Sequence, residues 1–151
     1  MSDLQNKARK YALKLLSYRG RSRKELEDRL KKKGFNDTVT SSTIHFLNDA
    51  ELINDLSLAE TLKREALSSK MLSQTGAKRY ILAKGIPQEI IDRIFSNDED
   101  IDIENAIRLM DKKMKALINY PPETARRRLY NLLLRRGYSY ETIMKVLKEN
   151  K

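Results

Sequence analysis

Cysteine and tryptophan are absent from these 151 residues, and histidine occurs once, as His45. Without cysteine the chain has no disulfide, no thiolate metal site and no cysteine nucleophile. With one histidine it has no His pair to hold a metal. Proline (three) and glycine (five) are scarce, so few positions resist a helix. No apolar run approaches the ~20 residues that span a bilayer. The Met1-Ser2-Asp3-Leu4 start lacks the basic and apolar regions of a signal peptide. A soluble protein of the cytoplasm, with no membrane partner, is expected.

Signals for catalysis are missing too. There is no P-loop and no glycine-rich nucleotide motif. The run Asp98-Glu99-Asp100-Ile101-Asp102 has the acidity of a calcium loop. Ile103 stands at its sixth position, where glycine is required, and Leu109 at its twelfth, where glutamate is required. It reads as a solvated linker that also caps the next helix. His45, within Ile44-His45-Phe46-Leu47, reads as a structural helix residue. No enzyme activity, cofactor or metal is expected.

What the chain has is charge and helix formers. The formal net charge is +10, with 34% of residues charged and 40% apolar. Residues 1–34 hold 12 Lys/Arg against 4 Asp/Glu, and residues 105–136 hold 9 against 2. Such an excess favours phosphate backbones or acidic protein surfaces as partners, although simple solubility would also use it.

A repeat underlies the pattern. Leu30-Lys31-Lys32-Lys33-Gly34-Phe35, Ile81-Leu82-Ala83-Lys84-Gly85-Ile86 and Leu133-Leu134-Arg135-Arg136-Gly137-Tyr138 are one phrase, with glycines 51 and 52 residues apart. Ala8, Ala59 and Ala106 open helical stretches upstream, each followed three residues on by Tyr11, Leu62 or Leu109. Each glycine leads to a further apolar-periodic segment: Val39/Ile44, Ile90/Ile94 and Ile143/Val146/Leu147. Three units of three helices follow, with expected spans 1–53, 54–97 and 98–151.

The spacing predicts the elements. Ala8, Tyr11, Ala12, Leu15 and Leu16 form one stripe over 4–17. Ser22-Arg23-Lys24-Glu25 is a capping box opening a helix that Gly34 ends. Asn36 or Asp37 caps a third helix, running to about Ala50. Asp55 is the expected cap of the second unit, which breaks near Ser73–Gly76, restarts to Lys84 and uses Pro87 as a first helical residue. In the third unit, starting near Asp102, Pro121-Pro122 forces a break, residues 126–136 form the middle helix and Ser139 caps the last. Helical units of this size share cores by stacking, so the fold class is all-α: three tandem three-helix repeats in an elongated, curved body.

Together, Arg21-Ser22-Arg23-Lys24-Glu25-Leu26 with Leu30 and Lys33-Gly34-Phe35 resembles the N-terminal signature of the RecX family. Leu52-Ile53-Asn54-Asp55 with Ala59 resembles its connecting motif. Gly76, Leu82 and Lys84-Gly85-Ile86 resemble its second repeat, and Leu133, Arg136-Gly137-Tyr138-Ser139 and Ile143 its third. The likeness covers about residues 8–148. It implies a monomeric regulator that binds RecA and the single-stranded DNA within the RecA filament, with duplex DNA as a further partner. It implies a seat in the filament's helical groove and modulation, usually inhibition, of ATP hydrolysis, strand exchange and filament growth. Recombination, DNA repair and the SOS response are the implied setting. A helix-turn-helix transcription regulator and a protein-only scaffold remain the alternatives.

The candidate contacts to RecA or DNA are basic. Arg126, Arg127, Arg128, Arg135 and Arg136 form the densest cluster, with Arg128 and Arg135 on one helix side, seven apart. Arginine's planar fork pairs twice with phosphate or carboxylate. Lys112, Lys113 and Lys115 precede it. Arg21, Arg23, Lys31, Lys32 and Lys33 form a second cluster. Lysines at a helix C-terminus also suit its dipole, and one of the arginines flanking the cap serves structure on the alternative reading. Tyr11 and Tyr130 read as core, Phe35 and Tyr138 as packing back on their own helices, and Tyr18, Tyr120 and Tyr140 as exposed.

Overall fold

The computed structural model describes residues 2–149. Met1, Asn150 and Lys151, at the outer edges of the first and third expected repeats, lie outside the described residues. Among the described residues nine α-helices follow in chain order, and there is no strand: α1 (Asp3–Tyr18), α2 (Arg23–Lys33), α3 (Asp37–Asp49), α4 (Asp55–Arg64), α5 (Gln74–Ala83), α6 (Gln88–Ile94), α7 (Glu99–Leu117), α8 (Pro122–Arg135) and α9 (Tyr140–Glu149). A π-helical turn, Glu65–Ser69, extends α4. No helix among the described residues is long and apolar enough to cross a membrane.

The chain forms two compact units. One holds the described residues up to Thr61 with Ile81–Ile94; the other holds Leu62–Tyr80 with the described residues from Phe95 onward. In the first, Ala8 and Ala12 of α1 are fully buried against Leu26, Leu30, Val39, Ile44 and Leu47 of α2 and α3. Two alanines on one stripe let α1 approach α3 closely. In the second, Ala106, Leu109 and Met110 of α7 meet Leu129 and Leu133 of α8 and Ile143, Val146 and Leu147 of α9.

Local chemistry sets the ends. Ser22 Oγ accepts the Glu25 amide at 3.1 Å, but Glu25 turns its carboxylate to Arg19 and Arg21 instead of closing the capping box. Asn36, not Asp37, caps α3, taking the Val39 amide at 2.8 Å. Asn54, not Asp55, caps α4, taking the Ser57 amide at 3.1 Å. Pro87 sits one residue ahead of α6, at its cap. The acidic run is helix, not linker: Asp98 caps α7 and Glu99–Asp102 is its first turn, where carboxylates meet the positive end of the dipole. Gly76 lies inside α5, and Pro122 opens α8 four residues before the expected start, because a proline at the first helical position loses no hydrogen bond.

Each unit contains a similar clamp on a helix start, closed by the serine hydroxyl in one and by the serine amide in the other. At the start of α2, Ser22 Oγ donates to the Lys84 carbonyl at 2.7 Å, and the Arg23 amide donates to Asp55 Oδ1 at 3.0 Å. At the start of α5, the Ser73 amide donates to the Arg136 carbonyl at 3.0 Å, and the Gln74 amide donates to Asp102 Oδ1 at 2.9 Å. Amides that a helix itself cannot satisfy are thus taken up by the following repeat. The glycine beside each carbonyl allows the approach. A Cβ on Gly85 would stand 2.6 Å from Ser22 Oγ, and one on Gly137 2.6 Å from Ser73 Oγ and 2.8 Å from the Gly76 backbone. Both glycines are also left-handed, at φ 92° and 94°. Gly34, at φ 111°, has nothing within 4 Å of its absent Cβ.

Two outcomes follow. Gly34→Ala meets only the left-handed penalty, about 1 kcal/mol, whereas Gly137→Ala adds overpacking of about 1–3 kcal/mol. Equal losses in urea denaturation would mean the junction is not tight. Partial burial alone would raise the Glu25 carboxyl, but the hydrogen bonds and charges of Arg19 and Arg21 outweigh it and hold it below its ordinary value. A depressed carboxyl stabilises the fold above its unfolded pKa and loses that contribution as pH falls through the folded value. Glu25→Gln should therefore destabilise at pH 7 and converge on the parent in the acid range; a difference independent of pH would exclude this ion pair as the cause.

Candidate functional site

The densest basic cluster is carried by α7 and α8. α8 buries Leu129 and Leu133, so residues one step round the helix face outward beside α7. An open cleft results, lined by Lys113, Ala116 and Leu117 from α7 and by Arg127, Arg128, Asn131, Leu132 and Arg135 from α8. Four of these eight residues are cationic and none is acidic. Arg128 and Arg135 share the cleft, as their spacing of seven predicts. Arg128 stacks its guanidinium over Tyr120, 4.4 Å from the ring centroid.

The other members of that cluster lie elsewhere. Arg126, Lys112 and Lys115 are exposed but do not line the cleft. Arg136 is half-buried, and its guanidinium donates to the Lys70 carbonyl. That bond, with Tyr138 Oη donating to the Met71 carbonyl at 2.7 Å, satisfies the irregular backbone after the π turn. Desolvation holds the Tyr138 hydroxyl above the ordinary tyrosine range, so it stays a donor.

In the first unit, Arg21 is 8% exposed. Its Nε donates to the Leu15 carbonyl at 3.1 Å and its guanidinium binds Glu25. Arg23 is exposed, but its Nε pairs with Glu27 at 3.1 Å. The groove beside it carries Glu27 and Asp55 against Arg23 and Lys24, so its charge is compensated. Lys31, Lys32 and Lys33 are exposed in the last turn of α2. Lys31 stands 3.8 Å from Asp37, and Lys33 lies over the Tyr11 ring at 5.4 Å. Of these two basic clusters among the described residues, the one at the α7–α8 cleft lines a concavity with no acid in it, suited to anionic oxygens.

The sequence reading leaves out three of the cleft's neutral residues, Ala116, Leu117 and Asn131. The three-to-four spacing of Lys113, Ala116 and Leu117, and of Arg128, Asn131, Leu132 and Arg135, was the available signal. That reading also takes Asp55 only as a cap on its own helix and gives Asp102 no distant amide to accept, although each stands four residues before the alanine that opens its unit.

Comparison with known proteins gives two family matches: the first three-helix domain of RecX over residues 8–47 and the third three-helix domain of RecX over residues 99–147. Regulatory protein RecX of Amycolatopsis mediterranei is 30% identical over 144 residues, covering 95% of this chain and 82% of that protein. Regulatory protein RecX of Bacillus pumilus is 30% identical over 148 residues, and there the chain spans 56% of the relative's length. The crystal structure of RecX from Lactobacillus salivarius matches with a TM-score of 0.79 at 27% identity, covering 99% of this chain and 97% of that one. With the signature residues in order, the clamped three-helix repeats and these matches along nearly its whole length, the chain belongs to the RecX family of regulatory proteins.

Proposed function

We propose that this protein regulates the RecA–DNA filament of recombination and repair. It binds RecA and the filament's single-stranded DNA, sits in the helical groove, and restrains ATP hydrolysis, strand exchange and filament growth. It acts as a cytoplasmic monomer and performs no chemistry of its own. The observation that carries this reading, beyond family membership, is the cleft lined by Lys113, Arg127, Arg128 and Arg135 with no acid among its lining residues.

Regulation without catalysis needs differential affinity. A ligand that contacts one filament state better than another shifts the population toward it by that difference. Groups bridging neighbouring protomers in one helical state would oppose the protomer movements coupled to ATP turnover. The exposed Arg126, Lys112 and Lys115 add positive charge to the unit that holds the cleft; in the other unit Lys31, Lys32 and Lys33 are exposed as well, while Arg23 contributes less because Glu27 partly neutralises it.

The test is RecA-driven ATP hydrolysis on single-stranded DNA with and without this protein. Hydrolysis should fall as the protein is added, and no effect at several-fold molar excess over RecA would overturn the reading. Arg128→Glu with Arg135→Glu should keep the fold, since both side chains are exposed. About tenfold more protein should then be needed, the loss of one or two charge-assisted hydrogen bonds. Undiminished potency would remove the cleft from the contact surface.

A further inference from the structure

The phrase that closes a helix with a basic residue and a glycine occurs three times, and the clamps use two of its copies. At Lys84-Gly85 the carbonyl before the glycine accepts from Ser22 Oγ, and at Arg136-Gly137 it accepts from the Ser73 amide. In both, a serine hydroxyl fills the place of the missing side chain. Ser22 Oγ stands 2.6 Å from the Cβ position of Gly85, and Ser73 Oγ 2.6 Å from that of Gly137. The apolar residue that follows is closed off, Ile86 at 1% and Tyr138 at 2% exposed.

The first copy, Lys33-Gly34-Phe35, ends α2 with the same left-handed glycine, but no helix start lies on it among the described residues. Nothing stands within 4 Å of the Cβ position of Gly34. Lys33 and Gly34 are exposed, and Phe35 is only half-buried. The left-handed turn by itself accounts for the glycine. The open space above it and the uncovered flank of Phe35 are further facts, and the two internal junctions show what such a space holds.

We propose that the end of α2 at Lys33-Gly34-Phe35 is a docking socket for the start of a helix in a partner protein, one that begins Ser-Pro and carries an acid in its first turn. The contact goes beyond the filament reading and uses neither the α7–α8 cleft nor nucleic acid.

Each part of that motif answers a residue of this chain. The serine hydroxyl donates to the Lys33 carbonyl and fills the hollow over Gly34, as Ser22 does at Lys84-Gly85. The proline answers an exchange elsewhere in the repeat. At the internal junctions the first helical residue, Arg23 or Gln74, gives its amide to Asp55 or Asp102, four residues before Ala59 and Ala106. Four residues before Ala8 stands Leu4, which is 54% exposed. A leucine side chain accepts no hydrogen bond, so an amide brought there loses its partner. Proline has no amide, suits the first helical position and offers an apolar ring to the leucine. The acid answers Lys31, Lys32 and Lys33, three cations in the last turn of α2 that Asp37, 3.8 Å from Lys31, does not balance. A helix start set on a helix end also brings unlike poles of the two dipoles together. No Ser-Pro pair occurs in this sequence, so the partner is a different protein.

The experiment is an amide chemical-shift titration of the full chain with a synthetic helical peptide of about 15 residues beginning Ser-Pro-Glu-Glu. The amides of Leu4, Gly34 and Phe35 should move and saturate. Alanine in place of the peptide's serine should weaken binding about five- to tenfold, the loss of one hydrogen bond. Glutamine in place of its proline, which returns the amide, should also weaken it. Gly34→Asn puts a side chain into the hollow with a residue that tolerates the left-handed turn, and should abolish binding. Leu4→Asp restores the junction carboxylate at an exposed position and should reverse the order, so that Ser-Gln binds more tightly than Ser-Pro. Circular dichroism verifies folding, and Leu4→Asp decides alone if Gly34→Asn fails to fold. No movement of Gly34 and Phe35 at millimolar peptide, equal binding of the alanine peptide, or an unchanged order in the folded Leu4→Asp chain would overturn the proposal. The same shifts on raising the protein's own concentration without peptide would overturn it in favour of a second copy.

Discussion

A helix start cannot satisfy its own first amides, and in this protein three of them, those of Arg23, Ser73 and Gln74, are satisfied by the next repeat. The Arg23 amide goes to Asp55 and the Gln74 amide to Asp102, while Ser22 and Ser73 bond the carbonyls of Lys84 and Arg136. Gly85 and Gly137 make the contact possible twice over, through their left-handed backbone and their missing side chain. Small repeats have thin cores, so a polar junction that fixes register matters more here than in a larger globule. The third repeat departs from the scheme. Ala125 stands twelve residues before Gly137, where Ser22 and Ser73 precede Gly34 and Gly85 by the same distance. α8 extends back past it to Pro122, so the Arg126 amide lies a turn inside the helix and serves the helix itself.

The same junction orients the cleft. The end of α8 is held by the Arg136 carbonyl and guanidinium, and Tyr138 is anchored through Met71. α8 buries Leu129 and Leu133 on one face and presents Arg127, Arg128 and Arg135 on the next. The helix backbone is ordered before binding, so only the side chains of the three forks have freedom left to lose, which suits recognition by a surface with no deep pocket.

Much of this was legible in the sequence because it is local. The glycine phrases marked left-handed helix ends, Ser22 and Ser139 marked caps, and the seven-residue spacing of Arg128 and Arg135 marked a shared face. What was not legible depends on distant partners. Asp55 and Asp102 look like ordinary helix-start acids, yet they accept from amides 32 and 28 residues earlier. That one of the arginines flanking the Ser22 cap serves structure was open in the sequence, but not that it is Arg21, held by the Leu15 carbonyl; Arg136 counts as surface charge in the sequence, yet its guanidinium donates to the Lys70 carbonyl. Arg127 and Lys113 join the cleft only through the packing of α8 on α7. The double proline read as a break, and its second residue proved to be the first of a helix.

Amide hydrogen exchange tests the junction most directly. First-turn amides of a helix normally exchange fast, having no partner within it. The amides of Arg23, Ser73 and Gln74 should be protected to the level of helix-interior amides, while those of Glu123 and Thr124 in the first turn of α8 exchange freely. Exchange of all five at the rate of an unstructured peptide would contradict the account.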